Sequence, residues 1–184
     1  PSPLPTDSGN QVTEQPITQG KVNARANWPT WAKELPRLGD PQPATETFQL
    51  IDNGHLLGKL TYKSLFSYDA EINLANSECY ELKSAGFFGT KIIISKNETE
   101  IANLQMNWKG QMVFTFQDGQ EFVFKAKGVF HNSYVIEDKA EEKLIQVDPK
   151  FNWGKFHYNY EISYSKKPEN TLFILIGIYA SNYY

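Results

Sequence analysis

The sequence predicts an all-β domain, a closed or nearly closed antiparallel barrel of about 10–12 strands around a buried hydrophobic C-terminal helix. Three observations carry that expectation. From Thr47 onward, short runs of period-two alternation recur at even spacing, separated by turn residues. Aromatic residues make up 14% of the chain, with twelve Phe and ten Tyr, and these favour strands. The most apolar segment, Thr171 to Ala180, comes near the end of the sequence and is apolar on every face, so it must be buried all round.

The alternation is plainest in four places. Leu56, Gly58, Leu60 and Tyr62 alternate with Leu57, Lys59, Thr61 and Lys63. Phe114 and Phe116 precede Asp118-Gly119, and Phe122 and Phe124 follow it, which predicts a hairpin with a type I′ turn. Phe156, Tyr158, Tyr160, Ile162 and Tyr164 alternate with Lys155, His157, Asn159, Glu161 and Ser163. Strict period two over that length cannot be a helical stripe. Further strands are expected at Phe48–Ile51, Glu71–Leu74, Cys79–Leu82, Lys91–Ser95, Glu100–Met106, Tyr134–Glu137 and Lys143–Val147. Between them stand Asp52-Asn53-Gly54, Ser95-Lys96-Asn97 and Lys109-Gly110 as turns. No intervening stretch has helical length, so a parallel α/β fold is disfavoured. One echo occurs, Asn107-Trp108-Lys109-Gly110 against Asn152-Trp153-Gly154-Lys155, and it is compatible with two similar hairpins.

Residues 1–47 read differently. They hold eight of the ten prolines and show no sustained period, as an N-terminal arm would. One short helix fits there, with Pro29 at its first position and Trp28, Trp31 or Ala32, and Leu35 on one face. The domain proper is expected over 48–184, including the apolar helix 171–180. Asn170 is its candidate cap. Periodicity alone leaves that last run open to a central strand as well. A wide barrel needs something to fill it, however, and a threaded helix meets both needs.

Composition excludes several classes. The single cysteine, Cys79, allows no internal disulfide and no cysteine-based zinc site. A net charge of −3 argues against nucleic acid as a partner. The apolar run is too short for a transmembrane segment, which needs about twenty residues. The start reads Pro-Ser-Pro-Leu-Pro, without the features of a signal peptide, although residue 1 is not Met and a leader removed earlier is compatible with it. A cytoplasmic or peripheral-membrane location is expected, or an exported one if a leader was cleaved.

No catalytic constellation stands out, and the chain reads as a non-enzyme without cofactor or metal. His55, His131 and His157 lie far apart and match no metal motif. Ser133, His131 and Asp138 lack the context of a nucleophile elbow. Glu141 and Glu142 share a charged connection, where adjacent carboxylates rarely converge across a cleft. Gly86-Phe-Phe-Gly89 is too short for a phosphate cradle and precedes a strand. Asn97-Glu98-Thr99 is a glycosylation sequon. Tyr158, Tyr160 and Tyr164 either pack in the core or line a pocket for a lipid or sugar.

The succession of short hairpins from Phe48 and the terminal apolar run Leu172 to Tyr179 resemble the tubby C-terminal-like superfamily, which includes tubby domains, LURP-one-related proteins and phospholipid scramblases. The resemblance covers about residues 48–184 and is one of pattern. It implies a barrel around a hydrophobic helix and a non-enzymatic binding or scaffold domain, with phospholipid headgroups, a membrane surface or a protein as partner. Tubby domains use basic clusters for phosphoinositides. No matching cluster aligns here, and Lys125, Lys127, Trp28 and Trp31 are the candidate surface. No calcium loop is present. A lipocalin-like barrel for a small apolar ligand is the alternative.

Overall fold

A computed structural model describes residues 20–27, 46–64, 67–86, 90–127, 133–152, 157–165, 168 and 170–183. Among the described residues the chain is mostly antiparallel β-sheet, with one helix at the C-terminal end. The strands are β1 (Gly20–Asn27), β2 (Thr47–Asp52), β3 (His55–Ser64), β4 (Ser67–Leu74), β5 (Cys79–Ala85) and β6 (Lys91–Lys96). They continue as β7 (Thr99–Met106), β8 (Met112–Phe116), β9 (Glu121–Lys127), β10 (Ser133–Glu137), β11 (Lys143–Asn152) and β12 (His157–Tyr164). Helix α1 spans Thr171–Tyr183. Each strand from β2 to β12 pairs with its neighbours in sequence, so the sheet is an antiparallel meander. β1 pairs with β12 along one side, placing Val22 opposite Ile162, and with β2 along the other, placing Ala24 opposite Leu50.

One expectation about the arm is corrected by β1. Gly20–Asn27 lies within the segment read as an extension with little regular structure, yet it is a strand of the sheet. Its inward residues are small: Val22 and Ala24 are fully buried. Ala24 stands between Leu50 of β2 and Tyr160 of β12. The rings of Phe48 and Tyr160 meet nearby, 5.6 Å apart. Ala70 is similarly placed between Tyr62 and Leu82, and Ala102 between Ile94 and Phe116. Alternating small and large side chains let inward layers interdigitate. The helix expected around Trp28 and Trp31 lies outside the described residues.

The apolar run is a helix, and it packs against the sheet. Asn170 caps it: the Leu172 amide donates to Asn170 Oδ1 at 2.9 Å. Every residue from Ile174 to Ser181 is buried, which amphipathic packing on one surface would not allow. Phe173 meets Phe114, Phe116 and Phe122. A Cβ at Gly58 would lie 2.9 Å from Leu175 Cδ1, so β3 approaches the helix by way of a missing side chain. A Cβ at Gly177 would meet Ile136 of β10 at 3.0 Å. Tyr179 stacks on Tyr62, and its hydroxyl donates to the Tyr68 carbonyl at 2.8 Å.

The turns correct a second expectation. Asp118-Gly119 is not a type I′ turn, because only Gly119 has positive φ. The Gly119 amide donates to the Phe116 carbonyl and the Phe116 amide to the Gln120 carbonyl. That is a type I turn followed by one left-handed residue. The same pattern recurs at Leu74–Ser77, Asn107–Gly110 and Asp138–Glu141. Paired positive φ values instead occur at Asn53-Gly54 and Asn97-Glu98. These join strands whose last pairs, Asp52 with His55 and Lys96 with Thr99, leave two-residue loops.

Candidate functional site

Strand direction sorts the connections between two ends. At the near end, where α1 begins, lie the turns after β2, β4, β6, β8 and β10. At the far end, where α1 finishes, lie the connections after β3, β5, β7, β9 and β11. The near-end turns are polar and mostly acidic, with Asp52, Glu78, Glu98, Asp118, Asp138, Glu141 and Glu142 against Lys96, Lys139 and Lys143.

The far end is different. Trp108, at the tip of the β7–β8 turn, is 88% exposed. Met106 beside it is exposed as well, as are Tyr68 at the start of β4 and Phe151 near the end of β11. Asn107 holds the turn that presents Trp108. Its Oδ1 accepts from the Lys109 amide at 2.9 Å and the Gln111 amide at 3.0 Å, while its Nδ2 donates to Gln111 Oε1. Gly110 takes φ +72° to close the turn. The Lys109 ammonium stands 5.3 Å from the centre of the Trp108 ring. Exposed lysines also cluster toward this end: Lys63, Lys83, Lys127 and Lys150. Lys63 and Lys83 share the Glu81 carboxylate, and Asp69 stands beside Lys83 as a second one.

Inside the rim at the same end is a cavity of about 190 Å³ lined by Glu46, Tyr62, Ser64, Ser67, Tyr68 and Asn182. Burial holds the Glu46 carboxyl above its ordinary range. The Tyr62 phenol is pushed well above its usual value, again by burial. A side-chain contact from Asn182 eases that shift. The Tyr62 hydroxyl and Asn182 Nδ2 are both buried, next to each other. Asn182 Oδ1 is occupied, since it accepts from the Tyr160 hydroxyl.

The residues singled out in the sequence fare unequally. Lys127 is exposed at the far end of β9. Lys125 is ion-paired to Glu137 at 2.5 Å, part-way along the wall. Trp28, Trp31 and His131 lie outside the described residues, as do the side chains of His157 and Tyr158. Ser133 donates to Asp148 rather than meeting Asp138. Asp138 is engaged by the amides of Ala140 and Glu142 in its own turn. Glu141 and Glu142 are exposed in that turn. Tyr160 and Tyr164 are core residues. Cys79 is exposed, and desolvation together with Glu71 and Glu81 raises its thiol pKa. Among the described residues, no group of three or more His, Cys, Asp or Glu is placed to hold a metal ion. None of their helices is long and apolar enough to cross a membrane.

Sequence reasoning met Trp108 only as half of an echo and missed the cavity. The tip residue carried a signal, an aromatic within a turn. The cavity carried none, because its walls come from the approach to β2, the β3–β4 hairpin and the last turn of α1. The chain matches no protein-family model, no curated protein and no solved structure.

Proposed function

We propose that this is a non-enzymatic binding domain of tubby-like type, whose far end rests on an anionic membrane surface. Closure of the sheet into a barrel belongs to this reading; the pairing of β1 with both β2 and β12 supports it. The observation that carries the membrane contact is Trp108, 88% exposed on a rigid turn beside Met106 and Lys109. Trp beside a lysine suits the boundary between headgroups and acyl chains, where the ring is half-buried and the ammonium meets phosphate. The net charge of −3 opposes an anionic surface, but charge is unevenly distributed. The acidic turns gather at the near end, and exposed lysines lean toward the far end. The domain would approach an anionic surface far end first.

The alternative of an apolar ligand held inside the sheet has little in its favour. The inward side chains are packed on α1, and Leu175, Ile178, Tyr179 and Ala180 are fully buried there.

Vesicle sedimentation tests the proposal. The chain should pellet with phosphatidylserine-containing vesicles at low salt and should release as salt rises. Trp108→Ala should weaken binding about tenfold or more, the equivalent of ~1.4 kcal/mol, without lowering the melting temperature. Equal binding by wild type and W108A, or no sedimentation at low salt, would sink the reading.

A further inference from the structure

Two near-end turns share a backbone geometry and differ in the residue that follows asparagine. Asn53-Gly54 joins β2 to β3 and Asn97-Glu98 joins β6 to β7, each as a two-residue loop. All four residues are exposed. Their φ values are 48° and 84° in the first turn, and 50° and 65° in the second. A bulge lies just behind each tip. Leu50 pairs with Gly58 but Ile51 with Leu56, and Ile94 pairs with Ala102 but Ser95 with Glu100. The bulge interrupts the ladder, so within the ladder each tip is held by its last two pairs alone.

An asparagine side chain is an amide placed within reach of the next residue's backbone nitrogen. Attack by that nitrogen closes a succinimide ring, and being intramolecular it has a large advantage over an encounter in solution. The residue after asparagine sets the rate, because its side chain stands in the way of ring closure and glycine has none. Asn53-Gly54 is the only Asn-Gly pair in the sequence. A Cβ at Gly54 would meet nothing within 4 Å, so the tip stands in open space. Among the described residues, none forms a hydrogen bond with the Asn53 side chain or the Gly54 amide. The Gly54 peptide is therefore free to rotate into place when the tip opens locally. Other asparagines lack this combination. Asn76, before Ser77, is engaged at both side-chain atoms by Glu78, at 3.1 Å each. Asn107, before Trp108, is likewise held at both atoms. Asn97 has the same turn geometry but precedes Glu98.

We propose that Asn53 is a self-modifying site, which converts in the folded protein to aspartate and isoaspartate with loss of ammonia. The Gly54 nitrogen gives up its proton and bonds to Asn53 Cγ. The Cγ–Nδ2 bond breaks, and Nδ2 leaves as ammonia with the released proton. Water then opens the succinimide. Addition at Cγ breaks its bond to the Gly54 nitrogen and leaves aspartate. Addition at the Asn53 main-chain carbonyl carbon breaks that carbon's bond to the nitrogen and leaves isoaspartate, with the chain running through Cγ. One water is consumed for each ammonia released, and nothing is oxidised or reduced. Either product adds a negative charge beside Asp52, at the end that is already acidic. Isoaspartate also inserts an extra main-chain carbon into a two-residue loop. The pairs Asp52–His55 and Ile51–Leu56 then loosen, while Leu50–Gly58 behind the bulge stays. The site is independent of Trp108 and of the membrane reading.

The test incubates the full folded chain in neutral buffer without vesicles. Samples taken over time are digested under mildly acidic conditions and read by peptide mass spectrometry, where each conversion exchanges NH for O. Asn53 should convert about tenfold faster than Asn97, Asn76 or Asn107 in the same molecules. Isoaspartate is counted separately with an isoaspartyl methyltransferase and labelled S-adenosylmethionine, and Asn53→Gln should abolish most of that label. Glu98→Gly gives the second turn the feature it lacks, so it should raise Asn97 conversion about tenfold and leave Asn53 as it was. A parallel incubation in urea shows what the fold contributes. Asn53 converting no faster than Asn97 in the folded chain would overturn the proposal. So would an unchanged Asn97 rate in folded E98G, or Asn53 conversion seen only in urea, which would mean that the native turn protects it.

Discussion

The two ends of the molecule are built from the same hairpins but finish them differently. Near-end strands join through tight polar turns in which side chains serve the backbone. Asp138 accepts from two amides of its own turn, and Asp118 Oδ1 accepts from the Gln120 amide. Glu78 is held by Lys96, Asn76 and Tyr80. At the far end Asn107 closes a turn in the same manner, yet what it presents is Trp108. Leu56 is exposed at the near end, against Tyr68, Met106, Trp108 and Phe151 at the far end, and greater apolar exposure at one end is the pattern expected when that end meets something else.

The strongest way to break this comparison is through the element common to both ends. Leu175 packs midway along α1, against Gly58. Leu175→Ala should cost about 2–5 kcal/mol by leaving a cavity, and Gly58→Ala should cost about 1–3 kcal/mol by overpacking. Urea unfolding would measure both. If either were neutral, the helix would not be the shared core of the two ends.

Smaller effects sharpen the contrast. Near-end turns retain strain that can be relieved: Glu98 and Glu141 are non-glycine residues at φ 65° and 62°. Glu98→Gly and Glu141→Gly should each raise stability by about 1 kcal/mol in thermal melts and leave vesicle binding unchanged. Loss of binding in these variants would remove the functional distinction between the ends. Asn170→Ala, which uncaps α1, should cost about 1 kcal/mol.

Titration gives the finest comparison. Glu78, at the near end, is held at about 2, against an ordinary 4.5, chiefly by its hydrogen bond to Lys96. A depressed carboxyl contributes stability that is complete above about 4.5 and lost as pH falls toward 2. Glu46, at the far end, shifts upward through burial. Carboxyl NMR titration should therefore move the two in opposite directions, and Lys96→Met should bring Glu78 back up without touching Glu46.

Particular residues show how far sequence reading reached. The alternation of Phe156 to Tyr164 and of Phe114 to Phe124 marked strands, because period two exposes one face and buries the other regardless of partners. Strand β1 escaped notice because Val22 and Ala24 are small and sit in a proline-rich stretch; their burial depends on Ile162 and Leu50, which are remote in sequence. The type of the turn at Asp118 is not legible in the sequence, because Asp-Gly fits two turns that differ in the φ of the first residue, which local sequence does not specify.

By itself the sequence determined that the chain would form hairpins and would have to hide Leu172 to Ala180, since both follow from local pattern and apolar transfer. Only tertiary structure decided that the hidden segment is a helix packed on the sheet, that the exposed aromatics share one end, and that Glu46, Tyr62 and Asn182 border one cavity. Those facts depend on strand direction and long-range packing, and residues far apart in the chain carry no mark of each other until the sheet brings them together.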